Sequence, residues 1–74
     1  MKAFDDGYSI QAVSRQSGVH PVTLRAWERR YGLIRPARTE RGHRRYSDQD
    51  LAVIERILSW LDRGLPISQV RPVL

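Results

Sequence analysis

Apolar residues recur at helical spacing in three stretches of this chain, separated by glycine and proline. The most informative runs from Val22 to Gly32. Wound at about 100° per residue, it places Leu24, Trp27 and Tyr31 on one stripe and Val22, Arg25, Ala26 and Arg29 on the opposite one. The first stripe faces a core. The second is cationic but small at its centre, as a helix needs to be to lie close to a polyanion. Taken alone, such a segment is an ordinary amphipathic helix with a solvated face. Its neighbours change that reading.

Before it, Ile10 and Val13 share a face of a short helix expected from Ile10 to Ser17, with Ser9 as N-cap. Gly18 stands where a left-handed residue ends a helix. Pro21 suits the first turn of the next one, where its missing N–H costs nothing. Ser14 four residues before Gly18 and Leu24 six after it give helix-turn-helix spacing: a small residue for close approach, a glycine for the turn, an apolar residue as pin.

After Gly32, Leu33-Ile34 return to the core. Residues 35–46 lose the helical stripe. Pro36 and Gly42 predict two short strands around a tip near Thr39–Gly42, with Tyr46 anchoring the second strand. Ser47 with Asp48 and Asp50 opens a third, longer helix whose stripe is Leu51, Ile54, Ile57, Leu58 and Leu61, closed by Gly64. Val53 and Trp60 flank that stripe. Trp60 either covers the core edge or docks another part of a larger protein. After Leu65-Pro66, a short fourth helix is expected from Ile67 to about Arg71, with Ile67 and Val70 inward and Pro72 limiting its length. Residues 1–7 read as a frayed lead-in.

Charge sharpens the picture. Eight of the thirteen basic residues are arginines between positions 25 and 45, against only Glu28 and Glu40, so the window carries 8 − 2 = +6 of a total of +5. The rest of the chain is slightly acidic. A block of this kind points to a polyanionic partner, and arginine rather than lysine suits two-pronged contact with phosphate and guanine. Seventy-four residues make one small domain with a modest core. There is no cysteine, hence no disulfide or thiolate chemistry. No apolar run approaches membrane-spanning length and Met1–Asp6 lacks a signal-peptide apolar region, which sets the expectation of a cytoplasmic, nucleoid-associated protein without a membrane partner. His20 and His43 have no metal-ligand spacing, and no catalytic set or phosphate loop is visible, so an enzyme is not expected.

The combined order of Tyr8-Ser-Ile-Gln-Ala-Val, Gly18-Val-His-Pro-Val-Thr-Leu-Arg-Ala-Trp-Glu-Arg-Arg-Tyr-Gly-Leu, Pro36-x-Arg38 and Gly42-His-Arg-Arg-Tyr-Ser47 resembles the DNA-binding domain of MerR-family transcription regulators over residues 8–74. Within the family it is similar to the branch of the carotenoid repressors with cobalamin-binding domains and the curli-regulating activator. The resemblance implies a mainly α, winged helix-turn-helix fold of four helices with a small two-stranded wing. It implies a recognition helix, about residues 21–31, in the major groove, carried here by Thr23 and Arg25, and a wing, about residues 35–46, on backbone or minor groove, carried by Arg38, His43, Arg44 and Tyr46. Much of the family has Arg-Tyr-Tyr where this chain has Arg25-Ala26-Trp27, and Ala26 lacks the phenol that there touches the DNA backbone. The usual alanine of the first helix is Ser14.

The residues expected at DNA are therefore His20, Val22, Thr23, Arg25, Ala26, Arg29 and Arg30 from the second helix, and Arg38, Arg41, His43, Arg44 and Arg45 from the wing. The expected partner is double-stranded promoter or operator DNA, with RNA polymerase reached indirectly and no cofactor in this domain. Because family members continue into a dimerising helix and an effector domain, the chain is expected to be monomeric by itself and oligomeric in a full-length protein. Two rivals remain: an architectural DNA-bending factor of the excisionase type, and a basic module that meets an acidic protein.

Overall fold

A computed structural model describes residues 7–74. Three α-helices and a two-stranded antiparallel sheet appear in the order α1 (Ile10–Ser17), α2 (Pro21–Arg29), β1 (Ala37–Arg38), β2 (Arg44–Arg45) and α3 (Asp48–Asp62). Of the expected lead-in, residues 1–6 lie outside the described part.

Each helix starts on a local signal. The Ser9 side chain accepts from the Ala12 N–H at 3.1 Å to start α1. Ser47 and Asp50 form a reciprocal capping box on α3, with the Asp50 N–H on Ser47 Oγ at 3.0 Å and the Ser47 N–H on Asp50 Oδ2 at 2.9 Å. For α2 the cap is His20, whose Nδ1 accepts from the Val22 N–H at 3.1 Å. The turn between α1 and α2 rests on Gly18 at φ 79°, whose N–H returns to the Ser14 carbonyl.

The helical stretch around Trp27 is shorter than its periodicity predicts. It ends at Arg29, and the Leu33 N–H reaches back to the Trp27 carbonyl at 2.9 Å. The chain is thereby redirected two residues early, so that Leu33 and Ile34 are buried.

The expected fourth helix is absent. Ile67–Gln69 and Arg71–Val73 form two 3₁₀ turns instead. Pro72 has no N–H to offer the Ser68 carbonyl and clashes with it in an α-helix, and it disfavours helical backbone at Arg71. Val70, between the turns, is nonetheless fully buried, while Ile67 is only partly so.

The core joins Ile10 and Val13 of α1, Val19, Leu24 and Trp27 of α2 and its approach, Leu33, Ile34, Tyr46, Ile54 and Ile57 of α3, and Val70. Full burial of a side chain such as Leu24 or Ile57 stabilises by about 2 kcal/mol. Tyr31 and Trp60 pack against this core at its edge, with the Arg63 guanidinium 5.1 Å from the Trp60 ring centre.

The wing is small: Ala37 pairs with Arg45 and Arg38 with Arg44. A hairpin of this length does not hold itself together. It is held by its base. Tyr46 is fully buried, and its backbone exchanges two 2.8 Å hydrogen bonds with Tyr8, so the segment before α1 runs antiparallel to the end of the wing. The Tyr8 hydroxyl also donates to Asp48 at the start of α3. Gly7 makes this bridge possible. Its φ is +75°, and a Cβ there would stand 2.6 Å from the Tyr46 carbonyl oxygen.

Three substitutions test this base. Gly7→Ala should destabilise the domain by at least about 1–3 kcal/mol in chemical denaturation, since it combines a strained backbone with a backbone clash. The Tyr46 hydroxyl is enclosed without a protein partner among the described residues. Tyr46→Phe should therefore leave stability within about 1 kcal/mol of the parent or raise it, whereas Tyr46→Ala should cost about 3–5 kcal/mol and unfold so small a domain.

Candidate nucleic-acid interface

The start of α1, the outer face of α2 and the second wing strand converge on one cleft. It encloses about 300 Å³ and is lined by Ser9, Ile10, Gln11, Arg25, Gly42, His43, Arg44 and Arg45. Three arginines and the start of α1 thus line one concavity, although the Arg44 guanidinium itself is turned onto Glu28 and mostly enclosed. A second, more open hollow of about 440 Å³ lies on the wing between Thr39, Glu40, Arg41, His43 and Arg45.

The tip between these hollows is ordered by its own hydrogen bonds. Thr39 Oγ1 accepts from the N–H groups of Arg41 and His43, the Thr39 N–H donates to the His43 carbonyl, and the Gly42 N–H donates to the Thr39 carbonyl. The loop is built around a tight turn, as the Pro36 and Gly42 signals predict.

The residues singled out from sequence fall into groups. Val22 is 61% exposed at the start of α2, with Arg29 exposed and Thr23, Arg25 and Ala26 half-buried. Arg25 meets His43, Arg44 and Arg45 in the first cleft, and Arg41 meets His43 and Arg45 in the second. His20 is exposed but engaged as the α2 cap. Arg30 lies over the Tyr31 ring, 5.7 Å from its centre, at the end of α2 and outside both hollows.

Arg38 and Arg44 have a second employment. Glu28 extends from α2 toward the wing and holds both. Its Oε1 accepts from Arg44 Nε at 2.6 Å and its Oε2 from Arg38 Nη2 at 3.1 Å. Arg38 also donates through Nη1 to the Gly42 carbonyl at 3.0 Å. The Arg44 side chain is 11% exposed and that of Glu28 18%. Sequence reading counted Glu28 only as one of two acids in a basic window, although that rarity was the available signal. It also passed over Ser9 and Gln11 as cleft residues, for which a polar N-terminal turn on α1 offered little to distinguish them.

Burial pushes the Glu28 carboxyl upward, but the hydrogen bonds and charges of Arg44 and Arg38 outweigh it and hold the group below the ordinary carboxylate value. A carboxyl that titrates lower in the folded than in the unfolded chain contributes its full stability above the unfolded value. That contribution declines as pH falls from there through the folded value, below about pH 4.3. Thermal unfolding followed by circular dichroism should therefore show parent protein losing more stability than Glu28→Gln between pH 6 and pH 3. Equal losses would mean that the pair contributes nothing to the fold.

Comparison with known proteins agrees with this architecture. Residues 8–74 match the model of the MerR HTH family regulatory proteins. The chain is 46% identical over 67 residues to the HTH-type transcriptional regulator MlrA of Escherichia coli strain K12, covering 90% of this chain and 28% of the relative. It is 40% identical over 67 residues to the HTH-type transcriptional repressor CarH of Myxococcus xanthus, covering 90% and 22%. The chain thus spans about a quarter of the length of these curated relatives. Its fold superposes with a TM-score of 0.81 on HiNmlR, a MerR family regulator lacking the sensor domain and crystallised bound to promoter DNA, at 23% identity over 89% of this chain and 52% of that one. With the family model covering nearly its whole length and the winged helix-turn-helix geometry in place, the chain belongs to the MerR HTH family.

Proposed function

We propose that this chain reads double-stranded DNA as the DNA-binding domain of a bacterial transcription regulator, with α2 in the major groove and the wing on backbone or minor groove. One observation carries the reading: Arg25 of α2 and His43, Arg44 and Arg45 of the wing converge with the start of α1 on a single cleft. Phosphate is the anion that a duplex presents in a continuous row beside its groove, so a helix and a wing sharing one cationic concavity fit the groove and its edge together. The exposed Val22 and small Ala26 leave α2 room for close approach beside its arginines. The names of the relatives, transcriptional regulators and a repressor, support the same reading. A domain of this size has few contacts, so two copies joined in a longer protein would read two half-sites.

Nuclear magnetic resonance titration with duplex DNA tests the proposal. Shifts should centre on residues 20–30 and 38–45. If about five phosphates are neutralised, log K should fall against log[salt] with a slope of about −4.5. Arg25→Ala should leave the circular dichroism spectrum unchanged and weaken binding by about 5- to 150-fold. Shifts confined to α3 and the 3₁₀ turns, or no affinity at low salt, would sink the proposal and leave an acidic protein as the partner to look for.

A further inference from the structure

We infer that Glu28 is a positioning residue for DNA binding: an acid on the recognition helix that strengthens binding to a polyanion by fixing where the wing stands. The inference rests on the DNA-binding reading above, but its physical content is independent of it.

The two elements that would meet DNA share little direct packing. The wing consists of two strands of two residues each, and its base is fixed by Tyr46 and the bridge to Tyr8. Beyond that base, the Glu28 carboxylate makes the only salt bridges among the described residues. One oxygen takes Arg38 from β1 and the other takes Arg44 from β2, so a single side chain of α2 grips both strands. Arg38 relays the grip to the tip through the Gly42 carbonyl. Rotation or fraying of the wing breaks contacts on both sides of the carboxylate at once.

Charge alone argues the other way. Glu28 lies inside the cationic window and lowers its net charge, and an acid near the DNA surface opposes binding through long-range electrostatics. Two facts favour positioning. The Glu28 carboxylate is mostly enclosed and already neutralised by two arginines, so its repulsion of phosphate is short-ranged. Arg44, nearly buried, has Glu28 as its carboxylate partner, while its Nη2 is enclosed without a protein partner. Without Glu28 that cation is uncompensated and leaves its site, taking with it the wall of the cleft it shares with Arg25. A preformed cationic surface binds more tightly than one ordered during binding.

The two effects predict opposite signs for one substitution. Glu28→Gln raises the formal net charge of +5 by one unit. Long-range electrostatics predicts tighter binding. Positioning predicts weaker binding, by about tenfold, at every salt concentration. The experiment is fluorescence anisotropy with a labelled 20-base-pair duplex at two sodium chloride concentrations, on parent and Glu28→Gln protein whose fold is verified by circular dichroism. Equal or tighter binding by Glu28→Gln overturns the inference. If Glu28→Gln does not fold, Arg38→Gln takes its place beside Arg41→Gln. Both remove one wing arginine, but only Arg38 is gripped by Glu28. The loss should be several times greater for Arg38→Gln, and equal losses overturn the inference. Amide hydrogen exchange reads the grip without DNA. The Thr39 amide, bonded to the His43 carbonyl, should exchange faster in Glu28→Gln, or in Arg38→Gln if that variant is used, with α2 unchanged. Unchanged exchange overturns the inference. Absence of DNA binding by the parent protein overturns the function proposed above and leaves the exchange result to decide the role of Glu28.

Discussion

The Glu28 carboxylate stands 2.6 Å from Arg44 Nε and 3.1 Å from Arg38 Nη2, and this three-membered ion cluster is where the folding problem of the chain and its chemistry meet. Eight arginines fall in one third of the sequence, and the fold brings Arg25, Arg38, Arg41, Arg44 and Arg45 to α2, the wing and the two hollows there. Like charges held within a few ångströms repel, and solvent screens them only on the outside. Surface ion pairs ordinarily contribute little. This cluster differs because Glu28 and Arg44 are mostly enclosed, the Arg44 bond is short, and one carboxylate serves two cations. With Arg38 and Arg44 paired to Glu28, six arginines of the window remain unpaired by a carboxylate among the described residues, and of these Arg29, Arg30, Arg35 and Arg41 are exposed.

Around this cluster the domain is fastened at few points. Tyr46 is buried beneath the wing, and its backbone bonds to Tyr8 bring the start of the described chain against the end of β2. The Tyr8 hydroxyl reaches Asp48, and Ser47 and Asp50 cap α3 one step away. Four consecutive positions from Tyr46 to Gln49 thus pass from wing to helix with the N-terminal segment as strap. Because the helix-turn-helix packs on the same core through Leu24 and Trp27, α2 and the wing are two projections of one small hydrophobic centre.

That arrangement suits a reader of a rigid, regularly charged surface. Val22 and Ala26 share the outer face of α2 with Arg25 and Arg29, and the wing stands beside that face. Affinity from phosphate contact is additive only when the contacts match the spacing of the duplex, so the relation between α2 and the wing matters as much as the number of charges. A basic protein-binding module has no such requirement.

Most local structure was legible in the sequence because local signals determine it. The span of α1, its Ser9 cap and Gly18 end, the Ser47 start of α3, the hairpin tip at Thr39–Gly42 and the inward face of Leu24 and Trp27 all follow from capping chemistry, turn residues and helical period. The window of positive charge and the family pattern pointed to the part of the chain that lines the cleft. What only the tertiary structure decided involves partners distant along the chain. Nothing near Glu28 in sequence announces Arg38 and Arg44, ten and sixteen residues on. Nothing near Tyr8 announces Tyr46. The expected fourth helix dissolved into 3₁₀ turns because burying Val70 does not require the α-helical hydrogen bond that Pro72 forbids. Periodicity shows which residues share a face. Only folding shows what that face meets, and so the sequence assigned the arginines to a basic surface while the structure tied two of them to Glu28, one of which, Arg44, also lines the cleft.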